Sequence, residues 1–95
     1  MYARITKFKM KTSSVDAAKA KLEELKPKIM ALPGMHQFVD TMADDGSGYV
    51  VAIVESRETS EANTQHVAAL WANFSEYLED KPEAEGYDVI ANWHK

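Results

Sequence analysis

The chain has 95 residues, with 15 acidic and 11 basic side chains, a formal net charge of −4 and a hydrophobic share of 45%. That length holds one domain with a thin core, and the composition is that of a globular chain rather than a disordered or fibrous one. The negative charge disfavours nucleic acid and anionic membranes as main partners, and the absence of cysteine excludes disulfides, thiolate metal sites and a thiol nucleophile.

The N-terminal residues carry no basic leader with an apolar run behind it. The longest apolar run is the six residues from Tyr49 to Val54, too short to span a bilayer. A soluble, cytoplasmic protein is expected.

Residues 2–10 alternate, with Tyr2, Arg4, Thr6, Phe8 and Met10 on one face and Ala3, Ile5, Lys7 and Lys9 on the other. This is the period of a strand. Ser13 and Asp16 have the spacing of a capping box, and Val15, Ala18, Leu22, Leu25, Ile29 and Leu32 then recur at steps of three and four. These predict a helix over about 13–31, kinked or restarted at Pro27. Pro33-Gly34 ends it and leads into a strand from Met35 to Met42.

Asp44 to Gly48 reads as a hairpin loop, and Tyr49 to Glu55 as the strand that follows. Ser56 is a candidate cap for a helix over about 57–79, and Gly86 opens a last strand from Tyr87 to His94. The order β-α-β-β-α-β predicts an α+β, ferredoxin-like sandwich, two helices on one face of a four-stranded antiparallel sheet. Tyr49 to Val54 is apolar on both of its faces, yet two helices cover one face only. A second copy of the chain is the simplest cover for the other, so a homodimer is expected.

On the second helix Val67, Leu70, Phe74 and Leu78 share a face with Asn63 in its middle. Asn63 is therefore either satisfied near the helix start or directed into a polar pocket. His66, aligned with Asn73 and Tyr77 along one edge of that face, can act as base, acid or donor; Trp71 lies on the opposite edge. Arg4 on a central strand must be paired, with Glu55 a conceivable partner, or must face a cavity. The histidines His36, His66 and His94 match no metal-ligand spacing, no nucleophile elbow is present, and Gly46-Ser47-Gly48 is too short for a phosphate loop. No metal is expected.

Four segments together resemble a known family: Met1-Tyr2-Ala3-Arg4-Ile5, Leu32-Pro33-Gly34-Met35, Val54-Glu55-Ser56-Arg57-Glu58, and His66 through Trp71. Over essentially its whole length the chain resembles the antibiotic biosynthesis monooxygenase-like members of the dimeric α/β-barrel superfamily. The resemblance implies a homodimer whose sheets pack as a barrel, with a pocket between sheet and helices in each subunit. It also implies cofactor-independent oxygenation of a quinol or aromatic phenol, in pockets lined by asparagine, tryptophan and tyrosine; Asn63, Trp71 and Tyr77 are the matching types.

The expected catalytic residues are then His66, Asn63 and Tyr77, with His66 or Tyr77 handling the proton and Asn63 and Arg4 holding the oxyanion. Arg4, Trp71 and Phe74 are expected to bind substrate, and no cofactor is expected. Haem degradation is disfavoured, because the first strand carries Arg4 and Thr6 where that branch uses an asparagine, and His66 precedes Trp71 instead of following it. The alternative reading is a dimeric small-molecule-binding or stress-associated protein without turnover.

Overall fold

A computed structural model describes residues 1–95. Strand β1 (Tyr2–Lys9) leads through one 3-10 turn (Thr12–Ser14) into helix α1 (Val15–Met30). Strands β2 (Met35–Met42) and β3 (Ser47–Val54) form a hairpin, followed by two short helices, α2 (Arg57–Ala62) and α3 (Thr64–Ala72), and a last strand β4 (Glu83–Asp88). All pairings are antiparallel, in the order β2-β3-β1-β4. This is the expected ferredoxin-like α+β sandwich.

The alternation of β1 sets the layers. Phe8 and Met10 are buried beneath the helices with Ala18, Leu25 and Ile29 of α1, Val50 of β3, and Phe74 just beyond α3. Phe8, Trp71, Phe74 and Tyr77 form a chain of tilted and edge-on rings with centroids 5.7 to 6.5 Å apart, the geometry that aromatic quadrupoles favour. The opposite sheet face carries the cross-strand row Val39–Val51–Ile5–Glu85, and no helix covers it. Val39, Tyr49 and Tyr87 are 41 to 49% exposed there.

Several expected boundaries are corrected. The capping box does not form: Ser13 lies inside the 3-10 turn, where the Ser14 amide donates to the Lys11 carbonyl, and the helix cap at Ser14 makes no side-chain bond. Helix α1 runs through Pro27, which is exposed, as is Glu23, whose carbonyl loses its helical donor and faces water instead. Ser56 does cap, its hydroxyl accepting from the Thr59 amide at 3.1 Å.

The single helix expected over 57–79 is divided at Asn63 and ends at Ala72. There the Asn73 amide turns back to donate to the Ala69 and Leu70 carbonyls. The apolar period continues to Leu78 because residues 73–77 keep coiling in tight turns, with Leu78 bonded to the Phe74 carbonyl.

The last strand is the largest shift. It begins at Glu83 and ends at Asp88, with Gly86 inside it rather than at its start. Pairing with β1 runs from Lys7↔Glu83 to Tyr2↔Asp88, and the chain then runs out of partner, the final bond joining the Val89 amide to the Met1 carbonyl. The apolar residues beyond, including Ile90 and Trp93, remain 97% and 92% exposed. In the hairpin, Gly46 adopts φ +90°, and a side chain there would collide with the Met10 carbonyl oxygen. Only glycine fits. No helix is long and apolar enough to cross a membrane.

Candidate ligand cavity beneath the helices

The helix-facing side of the sheet is a floor of two cross-strand rows. One runs Phe38–Ala52–Arg4 and the next Asp40–Val50–Thr6. Leu22 and Ile29 of α1, with Leu32 just after it, form one wall. Val67, Leu70 and Trp71 of α3, with Phe74, form the other. The helices stand off the sheet on large side chains while Ala52 leaves the middle of the floor low, and a cavity of about 80 Å³ remains. Its lining is almost entirely apolar.

Two charged residues break that lining. Arg4 faces the cavity, and its Nε is buried with no hydrogen-bond partner. Glu55 does not pair with it: Val54 already lies on the helix side at the end of β3, so the next residue points away, and its amide is bonded to the Gly34 carbonyl. A buried donor left unpaired costs roughly 1–3 kcal/mol, a cost that a ligand acceptor would remove.

Asp40 lines the cavity from the edge strand β2, its outer side open to solvent. Packing of its carboxyl against the apolar wall pushes its pKa up to about 6, against a smaller opposing effect of the Thr41 amide. Sequence reasoning missed Asp40, although a signal was present: it lies between Phe38 and Met42 at the two-residue period of the apolar face of β2. Thr6 is buried beside Val50, in the same row.

The six expected site residues divide into two groups. Arg4, Trp71 and Phe74 meet at the cavity, whereas Asn63, His66 and Tyr77 are not among its lining residues. Asn63 is buried, 4% exposed, and its Nδ2 donates to the Pro33 carbonyl at 2.9 Å, so of the two placements open to it the structure takes the satisfied one. His66 lies on the exposed side of α3, one residue before the lining Val67. Tyr77 is half-buried, its ring edge-on to Phe74 and its carbonyl accepting from the Lys11 amide. The helix divides and then ends between these three residues, which is why one projected edge does not bring them together.

Asn63→Ala leaves the Pro33 carbonyl without its donor and is expected to lower the unfolding free energy by about 1–3 kcal/mol. Urea unfolding at fixed pH measures this; unchanged stability would show that water replaces the amide at no cost. His36, His66 and His94 are all exposed and lie in β2, α3 and the C-terminal segment. No group of three or more histidine, aspartate or glutamate side chains is placed to hold a metal ion.

No family model matches the sequence, and no curated protein does. Solved structures do match. A protein of unknown function from Nitrosomonas europaea superposes with a TM-score of 0.82 at 19% identity, over 99% of this chain and 93% of the other. A candidate antibiotic biosynthesis monooxygenase from the same organism gives 0.79 at 15%, over 94% and 89%. One from Caulobacter crescentus gives 0.78 at 16%, over 95% and 90%. At these identities the agreement concerns the backbone: the chain has the fold of structures described as antibiotic biosynthesis monooxygenases.

Proposed function

We propose that the cavity binds a small aromatic phenol or quinol and that the protein oxygenates it with molecular oxygen, without a cofactor. The observation that carries this reading is an apolar cavity with the unpartnered Nε of Arg4 in its lining. Removal of the phenolic proton makes the ring electron-rich enough to reduce oxygen itself. A ring C–H and the O–H become the two carbonyls of a quinone; one oxygen atom enters the ring and the other leaves as water, and the substrate supplies all four electrons. The protein need only accept a proton, hold the developing oxyanion and exclude water.

In this reading Arg4 holds the anionic group of the substrate and Trp71 and Phe74 clamp the ring. Asn63 fixes the start of the helix that carries the wall, and His66 and Tyr77 lie outside the cavity lining. Oxygen uptake with a panel of phenols and quinols tests the proposal. Wild-type protein should consume oxygen, and Arg4→Met should lose about 100-fold, the usual loss on removing one donor to a charge held in the site. His66→Ala should stay within about twofold of wild type. A ligand-induced rise in melting temperature without oxygen consumption would leave a binding protein and no oxygenase.

The working unit we propose is a homodimer. What supports it is the uncovered sheet face around Val39, Val51 and Ile5, together with Ile90 and Trp93 extended into solvent. A second copy covers both, because a two-fold axis lays each apolar face on its equivalent.

A further inference from the structure

Arg4 and Asp40 lie on the two outer strands of the three that floor the cavity, one cross-strand row apart, with β3 between them. Strand spacing and rise put their Cα atoms about 12 Å apart. Between them β3 contributes only Val50 and Ala52. The two do not form an ion pair, since the ion pairs of the chain are Lys9–Glu79, Lys21–Glu24 and Arg57–Glu61. Two opposite charges thus face one apolar gap without meeting.

We infer that the cavity is built for a single-ring hydroxyaryl acid, its carboxylate on Arg4 and its hydroxyl donating to Asp40. The inference rests on the reading of the cavity as the ligand site, and it deepens that reading by naming the substrate class. Three observations carry it. The buried Nε of Arg4 lacks an acceptor, and a carboxylate supplies the strongest one available to a guanidinium, with two oxygens in matching geometry. Asp40 is an acceptor at the opposite side of the floor, and an aryl hydroxyl is a donor at the opposite end of the same ring. The volume of about 80 Å³ suits one ring with its edge in the mouth. By comparison, an engineered cavity of about 150 Å³ takes benzene whole, so a fused polycycle would not enter without displacing a wall.

Asp40 is also the nearest group able to take the hydroxyl proton. In that step the O–H bond breaks, the proton moves to the carboxylate, and the electron pair stays on the oxygen as a phenolate. Desolvation favours this direction, because it raises the proton affinity of Asp40 towards that of the phenol.

The test is binding of 4-hydroxybenzoate, benzoate, phenol and hydroquinone to the full chain, followed by calorimetry and by the Trp71 indole N–H resonance. Wild-type protein should bind 4-hydroxybenzoate at least about tenfold more tightly than benzoate or phenol. Asp40→Ala should bind 4-hydroxybenzoate and benzoate alike while keeping the wild-type affinity for benzoate. Arg4→Met should bind 4-hydroxybenzoate and phenol alike, the preference for the acid being lost. Equal binding of hydroquinone and 4-hydroxybenzoate by wild-type protein, or preferences that survive both substitutions, would overturn the inference and leave the cavity as an aromatic site. Failure of all four compounds to shift the Trp71 resonance would overturn the cavity reading and the inference with it.

Discussion

Phe8→Ala is expected to destabilise the protein by about 3–5 kcal/mol, the range for removing a buried phenylalanine ring. Phe8 is 4% exposed, sits on one of the two central strands of the sheet, and contacts Trp71 at a centroid distance of 5.7 Å. Its ring joins the sheet to the aromatic chain that ends at Tyr77. Removing it opens a void that the backbone of β1, bonded on both sides, cannot close. For a domain of this size each kcal/mol moves the melting temperature by roughly 4–8 °C, so the loss should exceed about 12 °C. Calorimetry measures it, and a shift under 4 °C would mean that helix α3 settles into the space. A chain with a thin core has little to fall back on: seven of its buried hydrophobic residues form one cluster, and Phe8 is in it.

Val51→Lys is expected to convert the proposed dimer into monomers, lowering the mass in solution from about twice that of the chain to that of the chain. Val51 lies between Val39 and Ile5 in the middle of the uncovered face, and it is only partly exposed even in the single chain. A two-fold interface brings each substitution in twice, and an unpaired buried ammonium costs several kcal/mol at each position. Dimer dissociation should therefore strengthen by at least about 1,000-fold. Asp44→Lys, on the exposed hairpin loop, introduces the same side chain with a larger change of charge and should leave the mass unaltered. A dimer that survives Val51→Lys would place the interface elsewhere.

The fold was legible because the two periods were clear where packing demanded them. The alternation of β1 and the three-four spacing of Val15 through Leu32 are each read by one buried face, and both came out as expected. The last strand failed because it was read from residues that no face buries. Every residue of β4 is exposed, so Glu83 to Asp88 carries no apolar signature, while Val89 to Trp93 carries one with nothing to pair it. Pairing with β1 decided the matter, and pairing is not written in the segment itself.

The site divided for a related reason. Arg4 was placed by the alternation of β1 and Trp71 by the face of α3, and with Phe74 in the turns just beyond that helix they line the cavity. Asn63, His66 and Tyr77 were placed by projecting one continuous helix through a point where the chain breaks. The break is made by the Asn63 side chain reaching a residue 30 positions earlier, a contact that no local period contains.

That contact has a mechanical side. Pro33 follows Leu32, which closes one wall of the cavity, and Asn63 accepts through its carbonyl the amide of Val67, which opens the other. The Asn63 amide therefore ties the two walls together at one end, like a rivet through the tips of two blades. The gap between the blades is set there, by a residue outside the cavity lining. A change of ligand size would then be achieved by resetting the rivet, through the residues at 33 and 63, while every side chain in contact with the ligand stays the same.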